Sequence, residues 1–103
     1  MKLVYSLTLC LGMGLSTSMC AQKEVGLKDA FKDNFLIGAA VNTTISSGND
    51  AKATEVIRKH FNSLVAENCM KSGELQPQEG VFDWAEADKL VDYAEKNNQV
   101  LIG

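Results

Sequence analysis

The sequence has little of what specialised folds need. It holds one proline, one tryptophan and one histidine among 103 residues, with three cysteines and no CxxC pair. His60 has no Cys or His partner at metal-ligand spacing, so a structural zinc site has no support. Ten Lys+Arg stand against thirteen Asp+Glu for a net charge of −3, and no basic run occurs. The electrostatic footprint of a nucleic-acid or anionic-membrane partner is therefore missing. No glycine-rich loop leads into a helix, which removes the usual phosphate cradle. With 22% charged and 46% hydrophobic residues, a disordered tail, a collagen-like repeat and a low-complexity segment are all excluded. The length admits one small domain at most.

The N-terminus carries a targeting pattern. Lys2 precedes an apolar run from Leu3 to Leu15, then Ser16-Thr17-Ser18, with no further charge until Lys23. This is the layout of a secretory signal peptide over residues 1–21, cleaved after Ala21, which makes the mature product secreted or periplasmic. The apolar run is short for crossing a bilayer. Two alternatives stay open. Thr17-Ser18-Met19-Cys20 loosely resembles a bacterial lipoprotein box, which would anchor the chain by a lipid on Cys20, although Met19 stands where a small residue belongs. The run could also be a buried N-terminal helix or strand. Cleavage after Ala21 removes Cys10 and Cys20. Cys69 is then left alone and no internal disulfide can form.

From residue 22 onward the pattern alternates. Lys28–Phe31 reads as a helical turn. Phe35–Val41 is a continuous apolar run, which suits a strand buried on both faces. Residues 43–49, rich in Thr, Ser, Gly and Asn, read as a loop. Asp50 caps a helix to about Phe61, with Ala53, Val56, Ile57 and His60 near one face. Ser63–Cys69 reads as a second strand that starts apolar and turns polar, and a loop follows through Gly80. Asp83 and Glu86 match a capping box. Trp84, Ala87, Leu90, Val91 and Ala94 form the apolar stripe of the next helix. Lys96-Asn97-Asn98 ends it with a cation and a residue that tolerates the left-handed region. Gln99–Gly103 opens a third strand. Strands joined by crossover helices predict an α/β fold with a parallel sheet. Three strands are too few to close a barrel. The expectation is the N-terminal part, strands one to three, of an incomplete (β/α)8 TIM barrel. A small three-stranded domain that covers its edges by oligomerising is the alternative.

One polar cluster stands out. Glu67, Asn68 and Lys71 follow the second strand, at the end where barrels of this class bind ligands. Carboxylate, amide and ammonium together suit a neutral polyhydroxyl ligand such as a sugar. A solvated strand end with a surface ion pair is the plainer alternative. His60 reads as a packed or surface histidine, and Cys69 as a buried thiol with no identifiable base. Asn42-Thr43-Thr44 is a glycosylation sequon, meaningful only in a eukaryotic secretory path. Glu86, Asp88, Asp92 and Glu95 form a solvated helix face.

The stretch Phe61-Asn62, Glu67-Asn68, Met70-Lys71, Leu75-Gln76-Pro77, Gly80, Phe82, Trp84 and Ala87-Asp88 resembles glycoside hydrolase family ten, the endo-1,4-β-xylanases. Phe35–Val41 is similar to the family's first barrel strand, and Leu101–Gly103 to the opening of its third. The resemblance implies a (β/α)8 barrel that cleaves internal β-1,4 bonds of xylan with retention. It implies that Glu67, Asn68 and Lys71 bind xylose units on the non-reducing side of the cleavage point. Gln76, Pro77 and Gly80 would shape the loop after strand two, and Phe82 and Trp84 would be packing residues. No cofactor and no metal are implied. A retaining glycosidase needs two carboxyl groups about 5 Å apart, and the family carries them on its fourth and seventh strands. The catalytic pair is thus expected downstream of Gly103, as part of a missing barrel remainder. Glu67 and Glu74 are not a substitute pair, since Glu67 matches a binding position and Glu74 falls in a loop.

Three readings compete: the N-terminal piece of a secreted endo-xylanase, inactive alone; a non-catalytic module that holds xylan; and a nonfunctional remnant.

Overall fold

The computed structural model describes residues 23–103. The signal peptide over residues 1–21 and lipid attachment at Cys20 lie outside the described residues. The order is α1 (Leu27–Ala30), β1 (Gly38–Val41), α2 (Thr43–Ser46), α3 (Ala51–His60), β2 (Ser63–Ala66), α4 (Ser72–Leu75), α5 (Ala85–Lys96) and β3 (Val100–Ile102). The three strands form one parallel sheet in the order β1-β2-β3. Val41 pairs with Ala66, and Leu64 sits between Ala39 and Leu101.

This order explains where the core lies. When each new strand is added on the same side of the last, right-handed crossovers put every helix on one face of the sheet. Ile57 of α3 and Leu90 and Ala94 of α5 accordingly pack in one cluster with Val41, Leu64 and Cys69. Val41, Leu64 and Leu90 are sealed from solvent. The residues that alternate with them face the other way. Among these Val65, Val100 and Ile102 are 42%, 51% and 56% exposed. The three parallel strands with helices along one face form part of an α/β barrel-like arrangement.

Several local expectations are met in detail. Asp50 accepts from Ala53 N–H at 3.0 Å and starts α3. Asn98 takes φ +54° just past α5. His60 is a packed residue, its Nδ1 accepting the Leu27 N–H at 3.1 Å. Others are corrected. Phe35–Ile37 lies outside β1, and β1 is covered on its helix face only, because both crossover helices share that face. Residues 43–46 are a short helix, not a loop, capped by Asn42 Oδ1 accepting Ile45 N–H at 3.1 Å. Ser72–Leu75 is likewise helical, and β2 stops at Ala66, which leaves Cys69 in a turn. The Asp83/Glu86 capping box does not form. Helix α5 starts at Ala85 after Trp84; Asp83 accepts only the Ala85 N–H, at 3.0 Å, and Glu86 turns to Lys89 at 2.6 Å. Trp84 thus precedes the helix instead of sitting on its apolar stripe. It is 51% exposed and stacks on Phe82, with ring centroids 5.5 Å apart and planes 5° from parallel.

Candidate functional site

In a parallel sheet of this kind, the carboxyl ends of the strands share one rim, and the segments after them build the ligand site. An open groove of about 570 Å³ lies there, lined by Thr43, Asn68, Cys69, Glu74, Asp83 and Glu86. Thr43 follows β1 and Asn68 follows β2, while Glu74 comes from α4 and Asp83 and Glu86 from the entry to α5. The α5 entry is fixed to α4 by the Asp83 N–H, which donates to the Leu75 carbonyl at 2.9 Å.

Two of the three residues singled out in the sequence come together. Lys71 Nζ donates to Asn68 Oδ1 at 2.7 Å. Glu67 stands beside them, its N–H donating to the Val41 carbonyl at 3.0 Å and extending the β1–β2 ladder one step past the strands. All three are exposed. The surface ion pair of the plainer reading does not form between Glu67 and Lys71. Among the described residues the ion pairs are Lys59–Glu24 and Lys89–Glu86.

Glu74, Asp83 and Glu86 were not foreseen as groove residues. Asp83 and Glu86 carried a helix-start signal that masked any other role. The position of Glu74 depends on α4, which is too short to show a periodicity. The groove wall is therefore rich in acceptors, with Asn68 as an amide among carboxylates. Among the described residues no three His, Cys, Asp or Glu side chains are grouped to hold a metal ion. Cys69 is buried at the base of this wall with 8% exposure. Burial pushes its thiol up, and the Glu86 and Glu74 carboxylates push in the same direction.

A partial α/β barrel with a polar groove at its strand-end rim defines the class: a segment of an α/β barrel, with its groove where such barrels bind ligands. The sequence profile described as Glycosyl hydrolase family 10 matches residues 26–103. Endo-1,4-beta-xylanase A of Xylanibacter ruminicola is 40% identical over 95 residues, which span 91% of this chain and 26% of the relative. The thermostable celloxylanase of Thermoclostridium stercorarium is 46% identical over 81 residues, or 79% of this chain and 20% of the relative. Among solved structures, the intracellular xylanase of Thermoanaerobacterium saccharolyticum superposes with a TM-score of 0.71 at 46% identity, covering 80% of this chain and 25% of that one. A mutant of that xylanase has been solved with xylotetraose, and matches with a TM-score of 0.70. The chain belongs to glycosyl hydrolase family 10, and it spans about a fifth to a quarter of the length of these relatives.

Proposed function

We propose that this chain forms the first three strands of a retaining endo-1,4-β-xylanase and supplies part of the surface that grips xylan beside the cleavage point. Glu67, Asn68 and Lys71 hydrogen-bond the hydroxyls of xylose units, and the acceptor wall of Glu74, Asp83 and Glu86 borders the same groove. The observation that carries this reading is the placement of Asn68, tied to Lys71, in a groove at the strand-end rim. Family membership and the xylotetraose complex of a 46% identical relative support the choice of sugar. The acid/base and nucleophile belong to later strands of the barrel, so residues 1–103 do not hydrolyse xylan by themselves. Residues 1–21 act as an export leader, as Lys2 and the apolar run after it suggest; N-terminal sequencing of the exported product tests this, and fatty-acid labelling tests the lipid anchor at Cys20.

The binding test is a titration of the chain with xylotetraose, followed by backbone amide NMR. Shifts centred on Glu67, Asn68 and Lys71, abolished by Glu67→Ala with Asn68→Ala, are the expected result. Shifts confined to another face, or release of reducing sugar from xylan by this chain alone, would overturn the proposal.

A further inference from the structure

Helix α1 is held by polar contacts more than by burial. None of its residues is buried, and its N-cap, Gly26, has no side chain to satisfy the first N–H groups. Asp29 Oδ2 accepts the Gly26 N–H at 3.2 Å. The Leu27 N–H is satisfied from outside the helix, by Nδ1 of the half-buried His60 at 3.1 Å. Two further contacts tie the same segment to the end of α3. Lys28 Nζ donates to the Arg58 carbonyl at 2.6 Å, and the Lys59 ammonium pairs with Glu24.

A neutral imidazole has one donor nitrogen and one acceptor, whereas an imidazolium has two donors. Acceptance at Nδ1 therefore places the ring proton on Nε2. A second proton occupies Nδ1 itself, and two N–H groups then face each other. The charged groups at this contact pull both ways. His60 ends α3, where a cation is favourable, and the Glu24 carboxylate lies close enough to feel its charge. Asp29 adds a second carboxylate, while Lys28, Arg58 and Lys59 oppose a further positive charge. These fields bear on when the proton arrives, but none of them returns an acceptor to Leu27.

The other two ties keep their charges between pH 8 and pH 5. Lysines as a class stay protonated over that interval, and the Lys59 ammonium holds the Glu24 carboxyl below its ordinary value. The imidazole is the group that changes there.

We infer that His60 is a pH-sensitive clasp: neutral, it docks the N-terminal segment on α3, and protonated, it releases the start of α1. The contact is present at neutral and alkaline pH and is lost as pH falls through the interval in which the imidazole gains its proton. The opening is local, because the sheet and α5 draw nothing from this hydrogen bond. The inference uses no groove residue and stands apart from the xylan-binding reading.

The test is NMR of the full chain, nitrogen-15 labelled, between pH 8 and pH 5. The ring nitrogens of His60 are expected to show the Nε2–H form at pH 8. The exchange protection of the Leu27 amide, corrected for the intrinsic pH dependence of exchange, falls about twofold to tenfold, the range for one hydrogen bond. Its midpoint coincides with the ring titration, and the amides of Leu64 and Leu90 stay unchanged. His60→Asn puts Oδ1 near the place of Nδ1 and abolishes the step while keeping Leu27 protected at pH 5. His60→Phe loses the protection at both pH values. Glu24→Gln removes the ion pair and keeps the step. An Nδ1–H ring at pH 8, a Leu27 amide indifferent to the ring titration, or a step that survives in His60→Asn or disappears in Glu24→Gln would overturn the inference. The ring and Leu27 signals of the parent chain decide it even where a variant fails to fold.

Discussion

Asn62 accepts the Ile37 N–H on its side-chain carbonyl at 2.7 Å. The same residue donates its backbone N–H to the Ile37 carbonyl at 3.0 Å, and its own carbonyl accepts the Val100 N–H at 2.9 Å. One half-buried amide thus joins the approaches to all three strands. Asn62→Leu strands the Ile37 N–H and is expected to cost about 1–3 kcal/mol, the penalty for a desolvated unpaired donor. Asn62→Asp keeps an acceptor and should lose clearly less. Urea unfolding of both variants checks the order.

Leu90 is fully buried between α5 and the sheet. Leu90→Ala is expected to destabilise by about 2–5 kcal/mol through lost burial and the cavity left behind. Val91, one position along, is 37% exposed, and Val91→Ala should cost under about 1 kcal/mol. Equal losses in thermal melts would show that α5 packs through a different face.

Gly26 lies against the end of α3 so closely that a Cβ there would sit 1.9 Å from the Lys59 carbonyl oxygen. Gly26→Ala must push the N-terminal segment away from α3, breaking the contacts of Leu27 with His60 and of Lys28 Nζ with the Arg58 carbonyl. Faster hydrogen exchange over residues 24–31, with the sheet unaffected, is the expected readout. The Lys59 ammonium beside Glu24 holds its carboxyl below the ordinary value. That small contribution is present above the ordinary carboxylate value and is lost as pH falls through the lowered one. Gly73 is the contrast. It lies in α4, with nothing within 4 Å of an added Cβ. Gly73→Ala should leave stability unchanged or raise it by up to about 1 kcal/mol.

The Cys69 thiol is raised chiefly by burial. It stays protonated at neutral pH and should react with alkylating reagents far more slowly than a free thiol. The unfolded chain gives up its thiol proton first as pH rises, so this group subtracts from stability between the ordinary thiol value and the raised one. Cys69→Ala should therefore show a flatter alkaline limb in a plot of stability against pH. Alkylation of the native chain at the rate of the unfolded one would refute the burial argument.

Local chemistry was readable where a single residue decides it. Asp50 announces α3, and Asn98 announces the end of α5, because capping and left-handed backbone depend on the side chain at that position. Alternation of apolar runs with helical stripes likewise identified three strands and their crossovers. Strand ends were less legible, since Phe35–Ile37 and Glu67–Cys69 continue the pattern of a strand but lie outside the paired register, with ladder-end hydrogen bonds only at Ile37 and Glu67. Trp84 has the spacing of a helix stripe, yet spacing alone cannot separate the first turn from the residue before it. In the site, Asn68 and Lys71 were visible as a pair of rim residues. Their mutual contact was not, because Glu67 offers a carboxylate within four positions and only the turn geometry selects the amide. The placement of Glu74, Asp83 and Glu86 in one groove depends on how α4 meets the entry to α5, which no short window of sequence encodes.

The residues sealed beneath the helices, Val41, Leu64 and Leu90, are distinct from the exposed trio at the strand-end rim, Glu67, Asn68 and Lys71. Selection can therefore exchange rim side chains with little risk to the scaffold beneath.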